Sequence, residues 1–396
     1  MGLGFKQAGH TIAGAWDFDK YAIQSYKANV GEHAMQSDIR DMSARDLPGA
    51  DLWTFGFPCQ DISVAGKGEG LDGARSGLFF EVMRLLGDIK DKPPFILAEN
   101  VKQLKKYLPR VEHEYSKQGY KMVAQLYNSK YWGVPQNRER YFILGIRDGV
   151  KNDFTFPLQQ ECYVPKLSSV LQNDVDDSYY IDDAKAQKVI IQALQRLDKL
   201  GSIHACITPD RVKKRQNGRR AKEDEEPMFT LTAQDLHGVI CRETGLLNPN
   251  GVAKTLRVGG KGSLSKKHNY EHVLVPSYSK EGVGTYNPRT EKRQSYQHER
   301  VYSVDGVSPA VDVGTGGRMH VLEPHLKHIG YRVRKLTPRE YARLQGFPDD
   351  YEIVISKSQA YKQFGNAVTV NVAWSIARSL YKELASARLC AAATKE

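Results

Sequence analysis

Four residues stand where they could do chemistry together. Cys59 lies in FPCQ (57–60), directly after the apolar run ADLWTFG (50–56). Glu99 opens ENV (99–101), at the end of PFILAEN (94–100). Arg138 and Arg140 lie in NRER (137–140), which leads into RYFILGI (140–146). A thiol on a loop becomes a nucleophile where positive charge or backbone N–H groups favour the thiolate. Thiol, carboxyl and arginine converging on one cleft suit nucleophilic addition to a ring that must also be protonated. Singly, each has a plainer reading. A strand-end cysteine serves as a small apolar residue, and such a glutamate often starts a helix.

The elements that must position them are legible from periodicity. HTIAGAWDF (10–18), ADLWTFG, PFILAEN, GYKMVAQLY (119–127) and RYFILGI read as strands, while YAIQSYKANV and FFEVMRLLGDIK have helical spacing between them. Strands alternating with helices predict an α/β domain with a parallel or mostly parallel sheet covered on both faces. Its ligand site is then expected at the carboxyl ends of the strands, where Cys59 and Glu99 would be neighbours. After about residue 153 the texture changes. LQRLDKL keeps helical spacing, then Gly, Asn, Ser, His and charged residues dominate to about 325. PMFTLTAQDLHGVI (227–240), VAKTLRVGGKG with YEHVLV (252–275), and VSPAVDVGTGGRMHVL (307–322) resemble one another loosely. They read either as repeated β-hairpins of a smaller, mainly β domain or as Gly-rich loops alike by chance. Helical patterning returns in LTPREYARLQG and VTVNVAWSIARSLYKELA, the latter expected to pack back on the first domain. The division is 1–153, 154–328 and 329–396.

Composition narrows the function classes. Of 396 residues, 40% are apolar and 26% charged, which excludes disorder over most of the chain. No run approaches the roughly 18 apolar residues of a membrane span, and MGLGFKQAGH has no signal-peptide pattern, so a cytoplasmic protein is expected. Lys plus Arg number 57 against 46 Asp plus Glu, a balance of +11. That sign favours a polyanionic partner, nucleic acid before an anionic membrane, since no basic amphipathic helix stands out. The five cysteines are scattered with no CxxC pair, so neither a disulfide framework nor a metal site is expected.

FPCQ, ENV, QNRERYF, RKLTPREYARLQGFPD and YKQFGNAVTVNV, in this order, resemble the ordered blocks of C5-cytosine DNA methyltransferases of bacterial and phage type. The resemblance runs from about residue 3 to residue 380 and includes a long variable segment between the arginine block and RKLTPRE. It implies a Rossmann-like, S-adenosylmethionine-dependent methyltransferase domain and a smaller target-recognition domain. Cys59 would attack C6 of a cytosine flipped out of duplex DNA, and Glu99 would act at N3. Arg138 and Arg140 would complete the catalytic set, with Arg140 holding the base. Asp17 would accept from the cofactor ribose and Phe18 stack on its adenine. Asp38, Ile39, Pro58, Leu78 and Asn366 would line the rest of that pocket. DISVAGKGEGLDGARSGLFF (61–80) resembles the loop that closes over the flipped base. Gln60, Ser63 and Arg75 near it, with Thr255 and Leu256, would face DNA; Thr230-Leu231 is the second choice for that Thr-Leu pair. A monomer is implied, with a cognate restriction endonuclease as functional companion.

One feature departs from the family. A glycine-rich turn belongs roughly 20 residues before the ribose-binding acid, after a first strand. Counting back from Asp17 runs off the sequence given, so that strand and turn are expected to be missing and two strand edges left unpaired. RVKKRQNGRR (211–220) carries six Lys or Arg and is followed by EDEE (223–226). It reads equally as a phosphate-following run or as a solvated loop neutralised by its own acidic neighbour. The rival functions are a DNA-binding remnant unable to hold the cofactor and an RNA cytosine-5 methyltransferase.

Overall fold

The computed structural model describes residues 1–57, 77–182, 201–211, 218–242 and 331–393, together with 185–186, 188–190 and four two-residue strands. The first part of the chain runs α1 (Gly2–Gln7), β1 (Ala15–Asp17), α2 (Lys20–Asn29), β2 (Ala34–Gln36), β3 (Leu52–Gly56) and α3 (Leu78–Asp88). It continues through β4 (Phe95–Val101), α4 (Leu108–Lys117), β5 (Tyr120–Asn128) and β6 (Glu139–Arg147). Then come β7 (Ile203–Ile207), β8 (Ala221–Asp224) and β9 (His237–Arg242). The short strands are β10 (Tyr286–Asn287), β11 (Lys292–Arg293), β12 (Val301–Tyr302) and β13 (His320–Val321). The chain ends with β14 (Tyr331–Lys335), α5 (Pro338–Leu344), α6 (Lys357–Asn366) and α7 (Val370–Ala393).

The fold is α/β. Strands β3, β4, β6 and β5, in that spatial order, make the main sheet. β4 runs parallel to β3, and β6 runs antiparallel to both of its neighbours. A wholly parallel sheet is ruled out by the connection between β5 and β6. Residues 129–138 contain a single 3-10 turn and no crossover helix, whereas a parallel return needs a dozen or more residues, usually a helix. β1 pairs in parallel with β2 alone, and among the described residues neither β1 nor β3 has a strand on its other side. Of the strand expected over 10–18, only Ala15–Asp17 forms. His10 Nε2 instead lies 2.9 Å from the carbonyl oxygen of Ala377 and holds the preceding stretch against α7.

Period-two alternation assigns each strand residue to a face. Ile96 and Ala98 of β4, with Tyr141 and Ile143 of β6, pack on Phe79, Val82 and Leu86 of α3 and on Val111 and Tyr115 of α4. Phe95, Leu97, Phe142, Leu144 and Ile146 point the other way, onto Phe5 of α1 and onto Val372, Ile376, Ala377, Leu380 and Leu384 of α7. Both faces are therefore dry, which is why PFILAEN and RYFILGI are continuous apolar runs and not alternating ones. Gly145 permits the approach on the first face. A Cβ there would lie 2.6 Å from Ile96 Cγ1 and 2.9 Å from the Tyr115 ring.

A second sheet, ordered β14-β9-β7-β8, is antiparallel throughout. It joins segments on either side of residue 328, because Tyr331–Lys335 pairs along Gly238–Arg242. The hairpin expected within 227–240 is not one. β9 takes β7 and β14 as its partners, and Met228 bridges to Gln136, just ahead of β6, instead. The other two passages fall, apart from His320–Val321, outside the described residues, as does LQRLDKL. Behind β14, helix α5 starts with Thr337 as N-cap and Pro338 in its first turn, and Thr337 and Glu340 form a reciprocal capping box. Glu340 is fully buried and takes both Nη atoms of buried Arg334, at 2.7 and 2.8 Å.

His237, also fully buried, sits where β9 meets α5. Its Nδ1 lies 3.0 Å from the Asp235 carbonyl, so that nitrogen carries the proton, and the Tyr341 hydroxyl oxygen accepts from the His237 backbone N–H at 2.8 Å. Burial lowers the imidazole from 6.5 to about 4. A base neutral in the fold but protonated when unfolded stabilises the fold above pH 6.5, and that contribution is lost as pH falls toward 4. The loss expected from this residue is about 3 kcal/mol. Urea midpoints taken at intervals from pH 7.5 to 4 should therefore fall less steeply for His237→Gln than for the native protein. Parallel curves would refute this role.

Candidate active site

β4 places the carboxylate. Glu99 follows Phe95 and Leu97 on one face of the strand, the fifth residue of β4 and the third on that face. On β6 the residue sharing that face beyond Phe142 is Arg140, set diagonally across from Glu99 by the pairing of Glu99 with Phe142 and Val101 with Arg140. The two side chains meet there, Arg140 Nε 3.2 Å from Glu99 Oε1. Both are largely shielded, at 17% and 12% exposure, so the charges act on one another with little screening. Gly56, the last residue of β3, pairs with Glu99, and its Cβ position would lie 3.7 Å from Glu99 Oε2. The next residue, Phe57, is buried, and its carbonyl accepts from Asn100 Nδ2 at 3.0 Å. Asn100 thus pins the chain where it leaves β3, two residues before Cys59. Sequence reasoning passed over Asn100, although it stands inside the ENV block. Cys59 itself, with Pro58, Gln60, Ser63, Arg75, Thr255 and Leu256, lies outside the described residues.

The carboxyl ends of β1 and β2 carry a second cluster. Asp17 ends β1 and accepts from the Asp19 backbone N–H at 2.8 Å. Its carboxyl is exposed, yet the protein around it desolvates it enough to raise its pKa. Phe18 beside it is 68% exposed, a large aromatic face turned to solvent. Asp38 caps the turn Ile39–Asp41, and Arg40 Nε and Nη2 hold its two oxygens at 3.0 and 2.5 Å. That pairing keeps the Asp38 carboxyl at about 2. Ile39 packs against the α3 side of the main core, and its carbonyl accepts from Arg84 Nη2 of α3. Leu78 begins that same helix, half-buried. Asn366 ends α6 and is exposed, and Lys362 on α6 pairs with Asp19 at 2.9 Å. An open aromatic ring beside a carboxyl at two parallel strand ends suits a nucleoside: a base to stack and a ribose to hold.

Arg138 is not part of the Glu99 cleft. Its side chain is buried, with Nη1 donating to the Leu231 carbonyl at 3.0 Å and Nη2 to the carbonyls of Gly365 and Ala367 at 3.1 and 2.9 Å. Two residues apart in a strand, Arg138 and Arg140 would share a face, but β6 begins only at Glu139. Around Arg138 lies a buried polar junction that the sequence did not signal. Gln136 joins the Leu344 carbonyl to the Leu231 N–H, and Thr369 joins Ser129 to Gln345. Of the basic run 211–220, the described arginines are engaged within the protein. Buried Arg220 donates to the Thr208 and Arg211 carbonyls, and Arg219 pairs with Glu226. Of the Thr-Leu pair at 230–231, Leu231 is buried and Thr230 Oγ1 donates to the Asn137 carbonyl at 2.6 Å. Among the described residues no helix is long and apolar enough to cross a membrane.

Residues 1–382 match the profile of a family described as C-5 cytosine-specific DNA methylase. The orphan methyltransferase M.SPRI of Bacillus phage SPR is 31% identical, over 95% of this chain and 92% of its own length. The type II methyltransferase M.HhaI of Haemophilus parahaemolyticus is 27% identical, over 93% and 86%. Among solved structures, the S. pombe Dnmt2 methyltransferase superposes with a TM-score of 0.55 at 18% identity, covering 96% of this chain and 94% of that one. At that identity the likeness speaks for the fold alone.

Proposed function

The chain belongs to the C-5 cytosine-specific DNA methylase family and is a DNA cytosine methyltransferase; from that premise we propose that it methylates a flipped-out cytosine through a covalent adduct on Cys59. The observation that supports this most is the shielded Glu99–Arg140 pair. It stands beside Gly56, the end of β3, from which the chain runs on to the cysteine.

In this reading the Cys59 thiolate adds to C6 of the base, which turns C5 from a poor nucleophile into an enamine-like carbon. Glu99 shares a proton with N3 as electron density arrives there. Arg140 orients the Glu99 carboxyl and balances charge on the base in a site where screening is weak. S-adenosylmethionine, held by Asp17, Phe18, Asp38, Ile39, Leu78 and Asn366, supplies the methyl group when bound. Transfer of the C5 proton to a solvent base then re-forms the C5–C6 double bond and breaks the C6–S bond, expelling the Cys59 thiolate, while N3 returns its proton to Glu99. The target atoms lie inside the duplex stack, so the base must leave it, at a cost of a few kcal/mol in unstacking and unpairing.

The test is transfer of labelled methyl from S-adenosylmethionine to duplex DNA, with tRNA as a parallel substrate. Label in cytosine C5 of the duplex supports the reading. Label in tRNA alone, or DNA binding without transfer, refutes it. Glu99→Gln keeps the size of the side chain but loses its ability to accept and return a proton. It should lower kcat by about 10²-fold while the Kd for duplex DNA moves less than about threefold. Equal loss in both would count against the role given to Glu99.

A further inference from the structure

Among the described residues, the part of the chain expected to recognise the target meets the end of α6, next to Asn366, through backbone. Gly365, next to Asn366, is pressed against residues 232 and 233. A Cβ on it would meet the carbonyl carbon and oxygen of Thr232 at 2.6 Å and the nitrogen of Ala233 at 2.7 Å. The buried guanidinium of Arg138 spans the same joint. One Nη holds the carbonyl of Leu231, and the other holds the two carbonyls that flank Asn366, those of Gly365 and Ala367. The segment is fixed from its other end as well. Asn137 N–H donates to the Met228 carbonyl, Thr230 Oγ1 to the Asn137 carbonyl, and Leu231 N–H to Gln136 Oε1. The two Nη atoms of a planar fork reach acceptors on two segments at once, whereas a lysine carries its three donors on one nitrogen and does not span them.

We propose that Arg138 is a positioning residue which, with the close contact of Gly365 on Thr232, makes the placement of Asn366 depend on the 228–233 segment and so couples DNA recognition to cofactor binding. The argument rests on the methyltransferase reading for the identity of the cofactor, but not for the joint itself. Coupling of this kind is reciprocal: DNA that settles the segment tightens cofactor binding, and bound cofactor tightens DNA.

The joint is tested without ligands by amide hydrogen exchange. Arg138→Lys should speed exchange at 364–368 and at 230–233 together, and a change confined to one segment, or none, overturns the coupling. The positioning role is tested by kinetics. In Arg138→Lys the KM for S-adenosylmethionine should rise about tenfold with kcat falling less than about threefold, and duplex DNA should no longer tighten binding of S-adenosylhomocysteine. Thr369→Val removes hydroxyl bonds from the same junction without touching the Gly365 and Ala367 carbonyls that flank Asn366, so it should lower the melting temperature and leave that KM unchanged. An Arg138→Lys protein that melts lower yet keeps the native KM assigns Arg138 a structural role only. Should Arg138→Lys fail to fold, Gly365→Ala carries both measurements, with the same expected rise and the same refutation. A native protein that shows no methyl transfer refutes the functional reading, while the exchange result still decides the joint.

Discussion

Cys59→Ser should remove methyl transfer to duplex DNA almost completely, with a fall of at least about 10³-fold, while binding of the duplex stays close to native. The change replaces sulfur by oxygen and leaves nearly everything else in place. A thiol has an ordinary pKa near 8.5, and positive charge or backbone N–H groups bring it into the range where thiolate is plentiful at neutral pH. A serine hydroxyl is far too weak an acid for that, and Glu99 is proposed to act at the base rather than at the nucleophile. A duplex carrying 5-fluorocytosine at the target separates chemistry from binding. Fluorine cannot leave C5 as a proton does, so the native enzyme should remain covalently attached and migrate as a retarded band in denaturing gels. The serine variant should give no such band and a normal shift in native gels. A retarded band from Cys59→Ser would mean that another residue is the nucleophile.

The largest expected effect on stability lies at Glu340→Gln. The carboxylate accepts from both Nη atoms of Arg334 at 2.7 and 2.8 Å, from the Thr337 N–H at 2.8 Å and from the Gln172 N–H at 2.8 Å, and the residue is fully buried. All of these partners donate. An amide in the same place points an N–H group at one or more of them and leaves the guanidinium buried without its counter-charge. Breaking a buried pair from one side costs about 3–5 kcal/mol. The denaturant midpoint should drop accordingly, and β14 should lose exchange protection along with α5. The paired change Arg334→Met/Glu340→Leu removes both charges at once and should recover much of the loss, because desolvation of two ions had offset much of their attraction. If the single variant unfolds like the native protein, the pair contributes little.

Much of the fold was legible because apolar runs and helical spacing report burial directly. PFILAEN and RYFILGI became β4 and β6, and FFEVMRLLGDIK became α3, within two residues at each end. The direction of β6 was not legible. Periodicity says which face a residue takes but not which way a strand runs, and the deciding fact is the short helix-free link over 129–138. Part of the site could be read for the same reason. Glu99 and Arg140 lie on strands whose alternation is fixed by a dry core, so their shared face follows from counting. Arg138 escaped that count by standing one residue before the strand, where its direction is set by carbonyls of segments far away in sequence. Asp17 and Phe18 could be placed at a strand end, whereas the capture of Asp38 by Arg40 is a local contact that no pattern announces. Side chains that meet only through tertiary contact, such as Gln136 with Leu344, leave no periodic trace.

The helix at the far end of the chain closes one face of a sheet built near its beginning. Phe95, Leu97, Phe142 and Leu144 remain wet until Val372, Ile376 and Leu380 cover them. On the ribosome this means that the catalytic half emerges long before it can be completed, and its greasy side waits for some two hundred further residues to be translated. Loops of that span are slow to close, and a half-covered sheet is prone to stick to its neighbours meanwhile. A nascent chain stalled before residue 370 should therefore be a client of chaperones and sensitive to protease, and release of the last helix should end both conditions.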